Sequence, residues 1–294
     1  MADTCKPTAT MPPTPAEPKR RAPEGACDAH VHLVGGPEDF PLWSGRVEDP
    51  APGPDYEGWL KLYRDHLQTL GFSRGVIVHS ILYGTDNSIT VETVKRLGDE
   101  FRGVGLLPDS ATDRDLDEFA AWNMAAVRLN YVHGGVLSWD GARAMAPRLK
   151  DRGLHIQMLA HADQHMEALA NDIRAMPVDV VFDHIGWPAN DRSPESAGFE
   201  KMCQLLQEGV IWVKLSAVYR MCRAPYCDVD ELVAKLIAAN PDRCLWGSDW
   251  PHLMLADAEM PHANALLDAF DRVVPDDATR RRILVDNPAK LFGF

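Results

Sequence analysis

The chain has 294 residues, 46% of them hydrophobic, and a formal net charge of −13 with no basic tract. That balance speaks against nucleic acid and membrane surfaces as partners, and it leaves room for one large α/β barrel or two average domains. No apolar run approaches the roughly 18 residues of a membrane span, no signal-peptide core is present, and the six cysteines form no C-x-x-C pair, so a soluble, cytoplasmic chain with reduced thiols is expected.

Residues 1–24 hold five prolines before Arg20 and no apolar period, which reads as a flexible tail ahead of a domain at 25–294. Within that domain, apolar strands are expected at 26–33, 75–80, 103–108, 125–130, 154–160, 179–184, 210–216 and 243–248. Stretches with helical apolar spacing alternate with them at 55–70, 89–101, 113–123, 139–151, 166–175, 199–208, 229–239 and 277–285. In the first helix, Trp59, Leu60, Tyr63 and Leu67 fall on one face. Gly71, Gly153 and Gly209 stand where helices should stop. Eight strand–helix alternations predict a parallel (β/α)8 TIM barrel. A dinucleotide-binding sheet would carry a Gly-rich loop after an early strand, and this chain has none.

Chemistry in such a barrel sits at the C-terminal ends of the strands. The first strand offers Cys27-Asp28-Ala29-His30-Val31-His32, in which His30 and His32 share a face, with Asp28 one layer below on strand parity. The fourth strand sends Val127 and Leu129 outward and Arg128 into the lumen, to meet either a substrate anion or a barrel acid. His184 ends the sixth strand on the face of Val180 and Phe182. Lys214 interrupts the apolar seventh strand, where it either snorkels or pairs with a core acid such as Asp28, and Tyr219 and Arg220 follow in the loop. Asp249 ends the eighth strand on the parity of Gly247. Beyond Pro251, His252 either orients Asp249 or lies on the surface. An H-x-H, a late histidine and a last-strand aspartate form a plausible metal or hydrolytic constellation, in which imidazoles act as ligands or electrophiles and a carboxylate as general base.

With Asp28-Ala29-His30-Val31-His32, Phe182-Asp183-His184-Ile185-Gly186 and Trp246-Gly247-Ser248-Asp249-Trp250-Pro251-His252, the chain resembles the amidohydrolase superfamily from about residue 24 to the C-terminus. Tyr83-Gly84-Thr85-Asp86-Asn87 and Val127-Arg128-Leu129-Asn130 resemble its lactonase branch, which holds 2-pyrone-4,6-dicarboxylate lactonases, 4-sulfomuconolactone hydrolases and galactarolactone isomerases. The resemblance implies lactone chemistry in a distorted barrel. The fifth strand, 154–159, lacks the lysine or glutamate that bridges two metals in dinuclear members, so at most one metal is implied. Tyr131-Val132-His133-Gly134 stands where pyrone lactonases want a second arginine, and Leu159 where they want a tyrosine. The segment from Lys214 to Arg220, with Pro225-Tyr226, looks closer to the sulfolactone and sugar-lactone relatives.

The expected reaction is hydrolysis of a small anionic lactone. Asp249 would take a proton from water, while His30, His32 and His184 polarise the carbonyl, directly or through one Zn2+ held by these histidines and Asp249. Arg128, Tyr219, Arg220 and His252 would bind the substrate. A Zn-dependent decarboxylase would use the same residues, and a catalytically silent binding barrel would keep the arginines alone.

Overall fold

The computed structural model describes residues 6–294. The first five residues of the expected tail, Cys5 among them, lie outside the described residues. Eight parallel strands pair in sequence order: β1 Cys27–Val31, β2 Arg74–Val78, β3 Phe101–Gly105, β4 Met124–Asn130, β5 His155–Leu159, β6 Val180–Phe182, β7 Ile211–Ser216 and β8 Cys244–Gly247. The ring closes just past β8, where Asp249 N donates to His30 O at 2.9 Å and His32 N donates to Trp250 O at 2.7 Å. The outer layer is α1 Tyr56–Leu70, α2 Ser88–Leu97, α3 Asp113–Ala121, α4 Trp139–Lys150, α5 Ala162–Ala175, α6 Ala197–Gln207, α7 Asp230–Ala239 and α8 Ala263–Val273. This is the (β/α)8 barrel expected from the alternation. No helix among the described residues is long and apolar enough to cross a membrane.

Local chemistry sets the element ends. Asp55 caps α1 by accepting from Gly58 N, Ser138 caps α4 in the same way, and Thr112 and Asp115 form a reciprocal capping box on α3. Gly71 ends α1 in the left-handed region at φ 93°, which glycine adopts without steric penalty. The eighth helix differs from expectation. It is Ala263–Val273, whose Leu266, Leu267 and Phe270 make an apolar face, and the stretch at 277–292 that follows it is a separate C-terminal element. That stretch brings Phe292 into one apolar cluster with Val181, Trp212 and Leu245. These residues floor the barrel. Two residues further along their strands stand Asp183, Lys214 and Gly247.

The proline-rich stretch 6–24 forms no helix or named strand. Thr8 bridges to Asp49, and Ala22 N donates to Leu70 O at 2.8 Å.

Candidate active site

The first strand does not run with regular parity. Asp28 turns to the helix layer, where Ser248 donates to it from N (2.9 Å) and Oγ (2.6 Å) and His66 of α1 approaches at 3.2 Å. The pairing of β1 with β2 shifts register between Asp28 and Val31. Such a bulge flips the alternation and re-aims the next side chain. His30 therefore enters the lumen beside His32, as expected, although Asp28 does not, which corrects the expectation that Asp28 lies one layer below on their face. Lys214 does pair with a core acid, but that acid is Asp183, with Gln157 beside it, rather than Asp28.

His30, His32 and Asp249 meet at the mouth. Nε2 of His30 lies 3.3 Å from Nε2 of His32, and Oδ1 of Asp249 lies 3.6 and 3.3 Å from those two nitrogens. Asp249 holds φ at 61°, a strained conformation for a non-glycine residue that its surroundings enforce. Beneath α1, Trp250 packs against Trp59 and Tyr63 with centroids 5.8 and 5.5 Å apart. Gly247 matters for a different reason: a Cβ there would stand 2.8 Å from the backbone nitrogen of His30, so only glycine lets β8 approach β1 this closely.

His184 follows the end of β6 in a left-handed turn, at φ 57°, so strand parity does not govern it. Its Nδ1 lies 2.9 Å from Ser216 Oγ, and its ring sits 4.8 Å from that of His30. Tyr219 donates to Oδ2 of Asp249 at 2.6 Å, and Arg220 Nη2 donates to the same oxygen at 3.0 Å. Arg220 also donates to the carbonyls of Leu253 and Met254 at 2.8 and 2.9 Å. The two residues expected to clamp substrate thus meet the carboxylate first. His252 is buried, with its ring 5.2 Å edge-on to Tyr219, which excludes the surface placement. Arg128 lies half-buried at the rim; Nη1 donates to His79 O at 2.7 Å, Nη2 stands 3.9 Å from Asp183, and Nε has no partner.

Below the mouth lies a charged layer for which the sequence offered only Lys214. Gln157 accepts from Lys214 Nζ at 2.5 Å and donates to Asp183 Oδ2 at 3.2 Å. Asp183 Oδ1 lies 3.2 Å from His30 Nδ1. Asp183, Gln157 and Ser216 were not among the expected site residues. The first two carried a legible signal, since each is a polar residue at an inward position of an apolar strand.

The electrostatics keep Asp183 and Asp249 charged and His30, His184 and His252 neutral. Burial pushes His30 well below the usual histidine range, against the opposing pull of Asp183. Burial likewise pushes His184 down to about 4 and His252 down to about 3. For Asp249 burial alone would raise the value, but Arg220 and His184 override it and hold the carboxyl well below its ordinary range. Burial draws Lys214 down to about 8, with Asp183 opposing.

The donor set at the mouth has the chemistry of a metal site. His32 Nδ1 lies 2.7 Å from Val78 O, which can only accept, so His32 carries its hydrogen there and offers a lone pair at Nε2. Oδ1 of Asp249 is buried without a hydrogen-bond partner. Two nitrogens and this oxygen, 3.3–3.6 Å apart, have the spacing of ligands that share one tetrahedral Zn2+ at about 2.0–2.2 Å. The residues fit one cation. Of the four expected ligands, His184 falls into a second set with His30 and Asp183. A neutral imidazole has one lone pair, so separate nitrogens of His30 cannot serve both sets at once.

The amidohydrolase family model matches residues 27–294. The chain belongs to this family. It is 31% identical over 291 residues to a 2-pyrone-4,6-dicarboxylate hydrolase of Comamonas testosteroni, covering 95% of this chain and 93% of that one. It is 33% identical over 277 residues to a 4-sulfomuconolactone hydrolase of Rhizobium radiobacter, covering 92% and 91%. Among solved structures, a probable 2-pyrone-4,6-dicarboxylic acid hydrolase of Acinetobacter baumannii superposes with a TM-score of 0.79 at 22% identity, covering 92% of this chain and all (100%) of that one. A Burkholderia multivorans amidohydrolase with bound Zn superposes with a TM-score of 0.68 at 17% identity, covering 92% and 99%. The amidohydrolase barrel, its lactonase branch and the class of ester-bond hydrolase were therefore legible from the motifs.

Proposed function

We propose that this amidohydrolase opens the ring of a lactone bearing a carboxylate or sulfonate. One observation carries the reading: Oδ1 of Asp249 is a buried carboxylate oxygen without a partner, 3.3 Å from His32 at the barrel mouth. In this scheme water attacks the lactone carbonyl as Oδ1 of Asp249 takes its proton, and the ring oxygen recovers that proton as the acyl–oxygen bond breaks. Tyr219 and Arg220 hold Oδ2 and so fix which oxygen faces the water. A carboxylate held this far below its ordinary range is a weak base, so much of the activation must come from polarising the carbonyl. His30 and His184 supply that polarisation as neutral imidazoles through a ring N–H, whereas His32, whose hydrogen is committed to Val78 O, acts through a bound cation. A Zn2+ held by His30, His32 and Asp249 would supply it as a Lewis acid. Arg128, half-buried at the rim with Nη1 held by His79 O, receives the substrate anion on the rest of its guanidinium. The names of the curated relatives, a pyrone dicarboxylate hydrolase and a sulfomuconolactone hydrolase, support an anionic lactone.

The test is a panel of muconolactones, pyrones and aldonolactones, with and without an anionic group, read for ring opening and for CO2. Ring opening of anionic members with uptake of one water supports the proposal. Release of CO2 would assign the site to a decarboxylase instead. Stoichiometric binding of panel members with no turnover would make the chain a binding barrel.

A further inference from the structure

Nδ1 of His30 has two neighbours of opposite character. Nζ of Lys214 lies 3.5 Å away and Oδ1 of Asp183 lies 3.2 Å away. An ammonium only donates and a carboxylate only accepts. The two neighbours therefore favour opposite tautomers of a neutral imidazole.

We propose that Lys214 and Asp183 select which nitrogen of His30 carries the hydrogen, and that this choice decides whether the cluster of His30, His32 and Asp249 is closed or open to a cation. The inference rests on the reading of that cluster as a single-cation site.

In the closed arrangement Lys214 donates to Nδ1, so the hydrogen sits on Nε2. From there it points at the lone pair of His32 Nε2, 3.3 Å away, and His32 in turn donates from Nδ1 to Val78 O at 2.7 Å. The result is a continuous chain from Lys214 to the β2 backbone. Two buried oxygens are left without a hydrogen-bond partner, Oδ1 of Asp183, which Lys214 Nζ reaches only as an ion pair at 3.8 Å, and Oδ1 of Asp249. In the open arrangement the hydrogen moves to Nδ1 and lies on the side of Oδ1 of Asp183, 3.2 Å away. Both Nε2 atoms and Oδ1 of Asp249 then face one another as lone pairs, a donor set that one cation satisfies at once. A single change thus provides for both orphaned oxygens. No proton is gained or lost, because the imidazole stays neutral throughout. Gln157 holds Lys214 at 2.5 Å and Asp183 at 3.2 Å, so both selectors stay in place whichever arrangement is occupied.

The experiment is nitrogen NMR of the full chain labelled with 15N-histidine, after chelation and again with added Zn2+, with His30 assigned from a His30→Gln spectrum. We expect hydrogen on Nε2 of His30 in the chelated protein and on Nδ1 once Zn2+ is bound. Two variants should move Zn2+ affinity in opposite directions. Lys214→Met removes the donor, places the hydrogen on Nδ1 before metal is added, and tightens Zn2+ binding about tenfold by removing the cost of switching. Asp183→Asn weakens the acceptor and loosens Zn2+ binding roughly 10- to 100-fold. A merely structural pair would lower the affinity in both variants, and that result overturns the selector. So does wild-type protein that binds Zn2+ with no change in the tautomer of His30. If Lys214→Met fails to fold, the wild-type comparison decides alone. Wild-type protein that binds no Zn2+ overturns the cation-site reading itself.

Discussion

The hydroxyl of Tyr219 donates to Oδ2 of Asp249 at 2.6 Å, while Oδ1 of the same carboxylate has no hydrogen-bond partner. The two oxygens of one side chain are thus divided between holding and reacting. Removing the hydroxyl tests that division. Tyr219→Phe leaves Arg220 alone on Oδ2 and frees the carboxylate to rotate. A hydrogen bond to a charged group contributes about 1.5–3 kcal/mol, so kcat should fall roughly 10- to 100-fold with KM little changed. Since a donated hydrogen stabilises the ionised form, the acidic limb of the kcat profile should also move to higher pH. Steady-state kinetics across pH checks both, and a change confined to KM would place Tyr219 on the substrate instead.

Asp249→Asn keeps the side chain's shape and its acceptor for Arg220 but removes the base. We expect lactone turnover to drop about 10²- to 10⁴-fold, the usual range for losing a positioned proton acceptor, with an unchanged circular dichroism spectrum. Near-wild-type hydrolysis by this variant would exclude Asp249 as the base.

How far the sequence reached can be judged from these residues. Asp249, His30, His32 and His184 were legible because polar side chains at the ends of apolar strands stand out against the barrel pattern, and all four converge at one mouth. What strand parity could not show was their aim. A bulge after Asp28 turns His30 inward, and left-handed backbone at His184 and Asp249 re-aims two more side chains. Asp183, Gln157 and Lys214 each stand out as polar residues on apolar strands, but their pairing into one layer was hidden because they come from three strands, and pairing across a barrel is not encoded locally. The helix Ala263–Val273 carried a readable apolar spacing at Leu266, Leu267 and Phe270, but it follows the irregular stretch after β8, where His252, Met254 and Ala256 all have positive φ.

Arg128 is half-buried at the rim, its Nε is buried without a partner, and Nη1 already spends one donor on His79 O. Substrate anion recognition would use what remains. Arg128→Ala should reduce kcat/KM for a carboxylated lactone about 10- to 100-fold, as expected for a lost charge-assisted pair. A neutral lactone of the same ring should lose far less. Equal losses on both substrates would show that Arg128 serves the fold through Asp183 and β2 rather than the substrate.

Gly247→Ala probes the closing seam. The added Cβ would meet the backbone nitrogen of His30 at 2.8 Å and its Cβ at 2.7 Å. Neither atom belongs to a flexible side-chain end, so β1 must shift. Overpacking of this kind costs about 1–3 kcal/mol, measurable as a lower midpoint in urea. Zn2+ affinity should fall with it, because the shift moves His30 away from His32 and Asp249. A stable variant with unchanged affinity would mean that the seam can relax without moving the site.

Acid should destabilise the barrel through histidines that lie outside the reacting cluster. Burial holds His79 down at about 4 and His155 at about 3, whereas an unfolded histidine titrates near 6.5. Between those values the unfolded chain binds protons that the folded one refuses, so stability rises with pH across the window. The contribution is complete above about pH 6.5 and is lost as pH falls towards 4, at up to about 1.4 kcal/mol per histidine for each pH unit. His155 packs on Phe292 with ring centroids 5.6 Å apart, and its Nε2 has no partner. His155→Phe should therefore be tolerated at pH 7 and should flatten the acid slope of urea stability by one histidine's share. An unchanged slope in that variant would show that His155 is not held neutral by its burial at the barrel floor.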